Sequence, residues 1–267
     1  MTTFEAIVLG IIQGLTEFLP ISSSAHLALA PFLFGWQDPG LAFDVALHFG
    51  TLLAVLWYFR REWIKLLAAA GAILRTRRVD TAEKKRVVFL ILATIPGAIG
   101  GLLLEKKAET VFRAPALTAV ALIVMGVILW AVDRFSSQER PIDKMRWTDA
   151  LLIGLAQVVA LIPGVSRSGS TITAARGLHL DRQSAAVFSF LMSMPITAAA
   201  VVLKGPDVLA QGGLGTQVVV GILAAAISSW FAIAILLRYV SRHSYGVFAL
   251  YRVLLGAFVL AFLYFRA

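Results

Sequence analysis

The sequence contains no cysteine, which excludes disulfide bonds, thiolate nucleophiles and cysteine-ligated metal sites. Charged residues are also scarce, since Asp, Glu, Lys and Arg together make up 15% of the 267 residues. Hydrophobic residues make up 59%, and the mean hydropathy is +0.85. A chain with so little charge is not an ordinary soluble domain, and its composition indicates a membrane protein.

Long apolar runs take the place of the missing charge. At 1.5 Å rise per residue, each run forms a helix of roughly 25–32 Å, which matches a hydrocarbon core of about 30 Å. We therefore predict six transmembrane helices. The runs are Leu41–Phe59, Val87–Leu104, Ala116–Val132, Ala185–Leu203, Gln217–Leu237 and Val247–Phe265.

Positive charge exceeds negative charge by nine, from 24 Lys and Arg against 15 Asp and Glu. Such an excess can indicate nucleic-acid binding, but the chain has no soluble domain to present it, and we expect no nucleic-acid partner. Basic residues beside apolar spans instead fit the orientation of a protein among membrane lipids, which we expect to be its surroundings.

Two polar stretches interrupt the apolar pattern. Gln13–His26 contains an amide, a carboxylate, hydroxyls, a proline and a histidine, and Gln157–Thr171 contains a Pro-Gly pair and an arginine among hydroxyls. The two stretches align without a gap at one constant shift, which carries position 13 onto position 157, so the chain is interpreted as two related halves. The identical pairs are Ala6/Ala150, Gly10/Gly154, Gln13/Gln157, Ser22/Ser166 and Ser24/Ser168.

Each polar stretch is predicted to enter and leave the membrane on one side. Pro20 breaks the first helix, and a second short helix is expected to end before Pro31. Irregular backbone inside a bilayer must be buried in protein or line a cavity, which a re-entrant helix–loop–helix satisfies; a single kinked span is the alternative. With both stretches re-entrant, 17 of the 24 basic residues fall on one side and five on the other, which favours the re-entrant interpretation.

The predicted fold is an all-α polytopic membrane protein with six transmembrane helices and two re-entrant helix–loop–helix segments in an inverted-topology repeat. Residues 1–267 form a single integral membrane domain. The first repeat is 1–135, with its re-entrant segment at 4–31, and the inverted second repeat is 145–267, with its re-entrant segment at 150–178. Inverted repeats with broken helices typically place a site where the two breaks meet.

Arg167 is the strongest functional clue, because an arginine inside an apolar region is costly and by default marks a functional site or a buried pair. Hydroxyls rather than acids surround it in sequence. Together with the free N–H groups of a helix start, they would form an anion-binding site, most naturally for phosphate. The predicted substrate-binding hydroxyls are Ser22, Ser166, Ser168 and Thr171. The alternative is a structural ion pair with Glu17.

Glu17 is one of very few acids at membrane depth. Its carboxylate can bind a divalent cation, polarise a hydroxyl, or serve only as the counter-charge of Arg167. Gln13 lies one turn earlier on the same helical face, where its amide can ligate a metal or hold a phosphate but cannot act as a base.

Ser22 and Ser23 precede His26 by four and three residues, so on a helix they share its face. A hydroxyl beside an imidazole is the pairing that makes a serine nucleophilic or lets a histidine protonate a leaving phosphate. The alternative is a histidine that only packs.

Three further features each allow two interpretations. Asp44 and His48 are four residues apart and either line the entrance of the site or form an ordinary interfacial pair. Arg252 lies one turn into the last span, and we include it among the predicted substrate-binding residues, with a place outside the pocket as the alternative. The GxxxG pattern Gly97–Gly101 favours close helix packing or a homodimer.

Together the two polar stretches resemble the undecaprenyl-diphosphate phosphatase family of the bacitracin-resistance type. The resemblance rests on Gln13-Gly-Leu-Thr-Glu-Phe-Leu-Pro-Ile-Ser-Ser-Ser-Ala-His26 and on Pro163-Gly-Val-Ser-Arg-Ser-Gly-Ser-Thr171, and it covers essentially the whole chain. It implies a multi-pass enzyme of the bacterial plasma membrane whose pocket opens to the outer, periplasmic face. Its substrate would be undecaprenyl diphosphate, its product the monophosphate carrier of peptidoglycan synthesis, and its phenotype resistance to bacitracin.

The resemblance also implies the roles of single residues. Arg167 would bind the diphosphate, Ser23 or a water that it positions would attack, and His26 would shuttle the proton. A divalent cation, Mg²⁺ or Ca²⁺, would lie at Glu17 and Gln13, although the family often has a second carboxylate where this chain has Gln13.

The main alternative is a lipid-carrier flippase or a secondary transporter with a midplane phosphate-binding site, because inverted repeats are typical of transporters. The combination of hydroxyls, a histidine and an arginine favours phosphoryl chemistry instead. Phosphate release in detergent, where no gradient exists, would separate the two.

Overall fold

The computed structural model of the protein describes residues 1–109, 114–210 and 215–266. Within these residues the chain is helical, with no extended strand, and a single-turn 3-10 helix, Ile142–Lys144, precedes α7. The α-helices are α1 Thr3–Phe18, α2 Ser23–Phe34, α3 Leu41–Tyr58, α4 Arg60–Thr76, α5 Ala82–Glu109, α6 Pro115–Phe135, α7 Trp147–Val159, α8 Arg167–Gly177, α9 Arg182–Ala210, α10 Thr216–Val240 and α11 Gly246–Arg266.

Six of these helices, among the described residues, are long and apolar enough to cross a membrane. This confirms the predicted fold class of an all-α protein with six candidate transmembrane helices. The apolar segments are Leu41–Tyr58, Ala82–Leu104, Pro115–Phe135, Arg182–Pro206, Thr216–Val240 and Gly246–Phe265. Whether the two shorter helix pairs are re-entrant stays a prediction.

The first short pair is α1 and α2. A capping box begins α1, because the Thr2 hydroxyl accepts from the Glu5 N–H and the Glu5 carboxylate accepts from the Thr2 N–H. The break falls at the predicted place, but the prediction that the second helix ends before Pro31 is wrong. Helix α2 continues through Pro31 to Phe34 and ends at Gly35, whose φ of 68° is a left-handed C-cap. The Gly35 N–H donates to the Pro31 carbonyl, so the last turn is closed despite the proline.

The second short pair, α7 and α8, repeats this plan. The Asp149 carboxylate accepts from the Arg146 N–H and thereby fixes the start of α7. The break then passes Gly164 at a φ of 91°, and a Cβ there would lie 3.1 Å from the carbonyl carbon of Thr118. A residue with a side chain would therefore be strained at position 164 both by the positive φ and by the contact with Thr118.

The starts of the short helices follow the same shift as the sequence pairs. Thr3 begins α1 and the aligned Trp147 begins α7, while Ser23 begins α2 and the aligned Arg167 begins α8. The residues that precede α2 and α8, Ser22 and Ser166, both have positive φ values, of 76° and 72°. Non-glycine residues rarely take this conformation, so the two breaks share one unusual backbone geometry. The domain limits and the inverted orientation of the halves stay predictions.

The first helix of each short pair packs on a span of the other half: α1 lies along α10, and α7 lies along α5. Glycines permit this close approach. A Cβ at Gly10 would lie 2.9 Å from the Ala224 Cβ, and one at Gly154 would lie 2.5 Å from the Ala93 carbonyl oxygen. The halves are thereby interlocked by small residues, as in helix pairs that associate within membranes.

The GxxxG pattern of α5 acts within the chain. Gly97 faces Gln157 and Gly100 faces Val158, both on α7, whereas a Cβ at Gly101 would meet nothing within 4 Å. Close helix packing, one of the two predicted uses, is therefore what the structure shows for these glycines. A homodimer stays a prediction.

Candidate active site

The two chain breaks meet at a pocket of about 240 Å³. The first half contributes Glu17 and the serines at the start of α2, and the second half contributes Ser166 and Arg167 at the start of α8. The structure thus brings the two predicted motifs together, although they lie in opposite halves of the sequence. Further lining residues are His48 on α3, Gly97 on α5, Gln157 on α7 and Thr197 on α9.

Glu17 and Arg167 form an ion pair through Oε1 and Nη2. The carboxylate is almost fully buried, whereas the guanidinium keeps part of its surface open to the pocket. The Arg167 Nη1 group donates to the Ser193 carbonyl at 3.1 Å and to the Thr197 hydroxyl at 3.0 Å. The arginine is therefore held on three sides and presents its remaining surface to the pocket.

Ser23 lies against the other oxygen of the same carboxylate. Its hydroxyl donates to Glu17 Oε2 at 2.6 Å, and the Gln13 amide donates to that oxygen at 3.1 Å. The serine is half-buried and lines the pocket. A carboxylate that accepts from a hydroxyl is placed to take its proton, which is the geometry that general-base activation requires.

The starts of α2 and α8 both point at the pocket. Ser22 and Ser166 line it, and each hydroxyl pairs with the serine two residues later, Ser24 or Ser168, at 3.2 Å in both halves. The first N–H groups of a helix have no partner within the helix and carry a partial positive charge. Two helix starts and one arginine at a single pocket are groups suited to binding an anion.

Ser168 and Thr171 are placed behind this surface. The Ser168 hydroxyl donates to the Leu19 carbonyl at 3.0 Å and so joins the two breaks. The Thr171 hydroxyl, fully buried, donates to the Arg167 carbonyl at 2.8 Å and pairs with Ser189 at 2.7 Å. Both were predicted to bind substrate, and the structure gives them contacts that position α8.

His26 does not pair with Ser23. Its Nδ1 lies 2.7 Å from the Ser22 carbonyl oxygen, which can only accept, so Nδ1 carries a hydrogen. Its Nε2 lies 2.7 Å from the Tyr251 hydroxyl on α11. The imidazole is thus held beside the pocket rather than among its lining residues.

His48, and not His26, is the histidine that faces the Glu17 carboxylate. Its Nδ1 donates to the Asp44 carbonyl at 2.7 Å, and its Nε2 faces Glu17 Oε2 at 3.6 Å. His48 lines the pocket together with Ser23. Of the two interpretations of the Asp44–His48 pair, the structure supports the one in which it borders the site.

Arg252 lies behind both breaks and is fully buried. Its guanidinium donates to main-chain carbonyls in each break and does not line the pocket. The bonds run to the carbonyls of Pro20 at 3.1 Å, Gly164 at 2.8 Å, Val165 at 2.8 Å and Leu122 at 3.3 Å. We therefore interpret Arg252 as a residue that positions the breaks, in contrast to its predicted contact with substrate.

A second, mostly apolar groove of about 400 Å³ adjoins the pocket and shares Ser24 and His48 with it. Its walls come from α2 and from the first turns of α3 and α6, including Phe32, Leu41 and Pro115. A polar pocket beside an apolar groove suits a ligand with a charged headgroup and an apolar chain.

The described residues contain no group of three or more His, Asp or Glu side chains that could hold a metal. Glu17 offers one carboxylate, and the buried Gln13 Oε1 has no hydrogen-bond partner within the described chain. Mg²⁺ is commonly bound by one or two carboxylates together with substrate phosphates. The predicted ligands therefore fit a cation shared with a diphosphate rather than one held by protein alone.

Sequence reasoning did not include Gln157 and Thr197 in the site, and it left the place of His48 open. Two signals were available: His48 is an ionisable residue within an apolar span, and Gln157 is the residue that aligns with Gln13. Thr197 carries no such signal, because a threonine in an apolar helix is common.

The chain matches a known protein family over nearly its whole length. The family is described as bacitracin resistance protein BacA, and the match covers residues 6–258. Both polar stretches, Gln13–His26 and Gln157–Thr171, fall within the matched residues.

Several similar proteins carry the name undecaprenyl-diphosphatase. One from Gemmatimonas aurantiaca is 64% identical over 261 residues, which cover 98% of both chains. Another from Desulforudis audaxviator is 49% identical over 260 residues, 97% of both chains. A third from Pelotomaculum thermopropionicum is 48% identical over 260 residues, 97% of this chain and 96% of the relative.

Proposed function

The chain belongs to the BacA family of bacitracin resistance proteins, and from this membership we propose that it is an undecaprenyl-diphosphatase. The enzyme removes the terminal phosphate of undecaprenyl diphosphate and leaves undecaprenyl phosphate. This product is the lipid carrier of peptidoglycan synthesis, and recycling it fits the family's resistance to bacitracin.

One observation carries the catalytic assignment: a nucleophile, an acceptor for its proton and an anion-binding arginine share one pocket. Ser23, Glu17 and Arg167 are joined by direct hydrogen bonds there. Phosphoryl transfer depends chiefly on positioning and on neutralising the charge of the phosphate oxygens. Arg167 and the starts of α2 and α8 supply the neutralising positive charge, and Ser23 lines the same pocket.

We propose that substrate binding frees Glu17 for its catalytic role. Without substrate, Arg167 and the Ser23 hydroxyl both occupy the carboxylate. A diphosphate at the pocket competes for Arg167, because a guanidinium binds phosphate oxygens with two parallel hydrogen bonds. Glu17 then keeps Ser23 as its donor and can accept the serine proton.

The reaction then proceeds in two balanced steps. Ser23 Oγ attacks the terminal phosphorus, its proton passes to Glu17, and the bond from that phosphorus to the bridging oxygen breaks, which releases undecaprenyl phosphate. Water then attacks the phosphoserine, the Ser23 oxygen leaves and takes back the proton held by Glu17, and the released inorganic phosphate keeps both hydrogens of the water. Glu17 rather than His26 takes this proton in our proposal, since of these two residues it is Glu17 that contacts the Ser23 hydroxyl.

A divalent cation, Mg²⁺ or Ca²⁺, belongs to the proposal. Glu17 and Gln13 Oε1 would hold it together with phosphate oxygens, and when bound it would offset the charge of the diphosphate. Gln13 already lies beside Glu17, where its Nε2 donates to the carboxylate, and its Oε1 would have to turn toward the cation to ligate it.

We propose that the pocket opens to the outer face of the plasma membrane. The adjoining groove is bordered by the first turns of α3 and α6, whereas the basic segment 60–86 follows the opposite end of α3. Nine Lys and Arg residues lie in that segment, which the positive-inside rule assigns to the cytoplasm. The apolar groove would accept the first part of the prenyl chain.

The test is phosphate release from undecaprenyl diphosphate by the purified protein in detergent with Mg²⁺. We expect Arg167→Ala and Glu17→Ala each to lower turnover by about 100-fold or more. Arg238→Ala, which changes an exposed arginine, is the matched control and should keep full turnover. Near-normal turnover in both site variants would defeat the assignment. The transporter alternative would be favoured if the diphosphate stayed intact in detergent while the protein moved the lipid across the membrane of vesicles.

A further inference from the structure

We propose that Gln157 is a substrate-binding residue whose side-chain amide donates a hydrogen bond to a phosphate oxygen of the diphosphate. The inference rests on the proposed function and adds a contact from α7, outside the residues that join Ser23, Glu17 and Arg167. It assigns Gly97 on α5 as the residue that makes room for this amide.

The first observation is a buried amide without a partner. Gln157 is 5% exposed, and neither its Nε2 nor its Oε1 has a hydrogen-bond partner in the described chain. Native structures leave few buried polar groups unpaired, because an unpaired group loses its bonds to water without replacement. The same side chain lines the pocket that Arg167 and Ser23 share. A ligand in that pocket would supply the missing partners.

The comparison between the halves explains why this amide is free. Gln13, the residue aligned with Gln157, donates to Glu17 four residues later. The residue four positions after Gln157 is Leu161, whose side chain can accept nothing. The second half therefore keeps the amide but lacks its carboxylate partner. The Gln157 amide therefore has no hydrogen-bond partner in the described chain, in contrast to Arg167, which is paired with Glu17.

The second observation is the space that Gly97 leaves for this side chain. A Cβ at Gly97 would lie 2.9 Å from the Gln157 Cδ and closer still to its Nε2. The amide is thus packed directly on the backbone of α5, where any larger residue would displace it. Gly97 is consequently needed for the position of the amide and not only for the approach of the helices.

The chemistry of an amide suits the diphosphate. Its two N–H groups can bond phosphate oxygens, while its carbonyl can accept from a bound water or from a protonated phosphate oxygen. We expect these bonds to form to substrate and transition state alike. Such uniform binding lowers KM and leaves kcat unchanged.

The experiment compares steady-state kinetics of Gln157→Met with those of the unchanged protein. Methionine keeps the length of the side chain and removes its polar atoms. We expect KM for undecaprenyl diphosphate to rise about tenfold, kcat to stay within about twofold, and the inhibition constant of inorganic pyrophosphate to rise in parallel. The thermal midpoint should not fall, because no bond within the protein is lost.

Gly97→Ala tests the same contact without touching the amide. We expect it to raise KM as Gln157→Met does, whereas Gly101→Ala, one turn later on α5 where a Cβ meets nothing, should leave KM unchanged. In a Gln157→Ala background the added methyl group no longer meets the amide, and the remaining close contact is with the end of the Ile196 side chain at 3.1 Å. The double variant Gly97→Ala/Gln157→Ala should therefore have the KM of Gln157→Ala alone.

An unchanged KM and an unchanged pyrophosphate inhibition constant in Gln157→Met would overturn the inference, as would a fall in kcat at constant KM. Equal effects of Gly97→Ala and Gly101→Ala would contradict the role of Gly97. Failure of the proposed function is a different result: the unchanged protein would not hydrolyse undecaprenyl diphosphate. If pyrophosphate still raised its thermal midpoint, and Gln157→Met abolished that rise, the binding site would stand without the reaction.

Discussion

Arg252 allows a test of how the pocket is held together. This fully buried residue of α11 donates to carbonyls in both chain breaks. One side chain therefore pairs with backbone carbonyls that lie outside the helices. Such backbone inside a membrane protein must be paired within the protein. If Arg252 is a positioning residue, its substitution should lower the stability of the fold more strongly than it weakens substrate binding.

The magnitude follows from the bonds. Arg252→Met removes four, to the carbonyls of Pro20, Leu122, Gly164 and Val165. Hydrogen bonds within membrane proteins are worth about 0.6 kcal/mol on average and up to about 1.7, so the loss is roughly 2–7 kcal/mol. This is a large share of a typical stability of about 5–15 kcal/mol. Arg252→Lys keeps the charge, but its donors sit on one nitrogen that cannot reach all four oxygens.

The assay is thermal unfolding in detergent together with phosphate release per folded molecule. We expect a strongly lowered midpoint for Arg252→Met, a smaller decrease for Arg252→Lys, and a KM for Arg252→Lys within about threefold of the unchanged protein. Arg238→Met, at an exposed arginine of α10, is the control and should not move the midpoint. A normal midpoint with a strongly raised KM would show that Arg252 contacts the substrate.

Two further predictions concern Glu17. His48→Gln retains an N–H that can face this carboxylate, whereas His48→Leu does not, so we expect phosphate release to fall by about tenfold or more only in the leucine variant; equal activity of the two would contradict the role of His48. Removal of divalent cations by EDTA should abolish turnover until Mg²⁺ is restored, and because the pocket offers only one carboxylate among the described residues, calorimetry should detect tight Mg²⁺ binding only when a diphosphate is present. Tight Mg²⁺ binding to the substrate-free protein would refute this.

The fold was predictable wherever a single physical rule decides it. Apolar length identified the six candidate spans, and the apolar run Leu41–Phe59 matches the span Leu41–Tyr58 closely. Proline and glycine identified the breaks at Pro20 and Gly164. Pro31 did not end α2, because a proline near the last turn removes one bond only and Gly35 provides a better terminus.

The site was predictable as a set of motifs but not as a set of contacts. Spacing shows which residues share a helix face, as for Ser23 and His26, but not which helix lies opposite that face. Tyr251 on α11 forms a hydrogen bond with His26, and His48 on α3 faces Glu17 instead. The burial of Arg252 likewise depends on where α11 crosses the two breaks, which no local pattern encodes.

The symmetry of the halves explains why the pocket needs both of them. Three aligned positions carry different residues: Glu17 against Leu161, Ser23 against Arg167, and His26 against Ser170. The first half therefore provides the carboxylate of Glu17 and the hydroxyl of Ser23, and the second half provides the guanidinium of Arg167. If the two halves were identical, the pocket where the chain breaks meet would hold either two charges of the same sign or no charge. Two like charges in a buried site repel each other. Divergence at matched positions gives opposite charges that attract, so the Glu17–Arg167 pair can form only when both helix breaks have reached their final places.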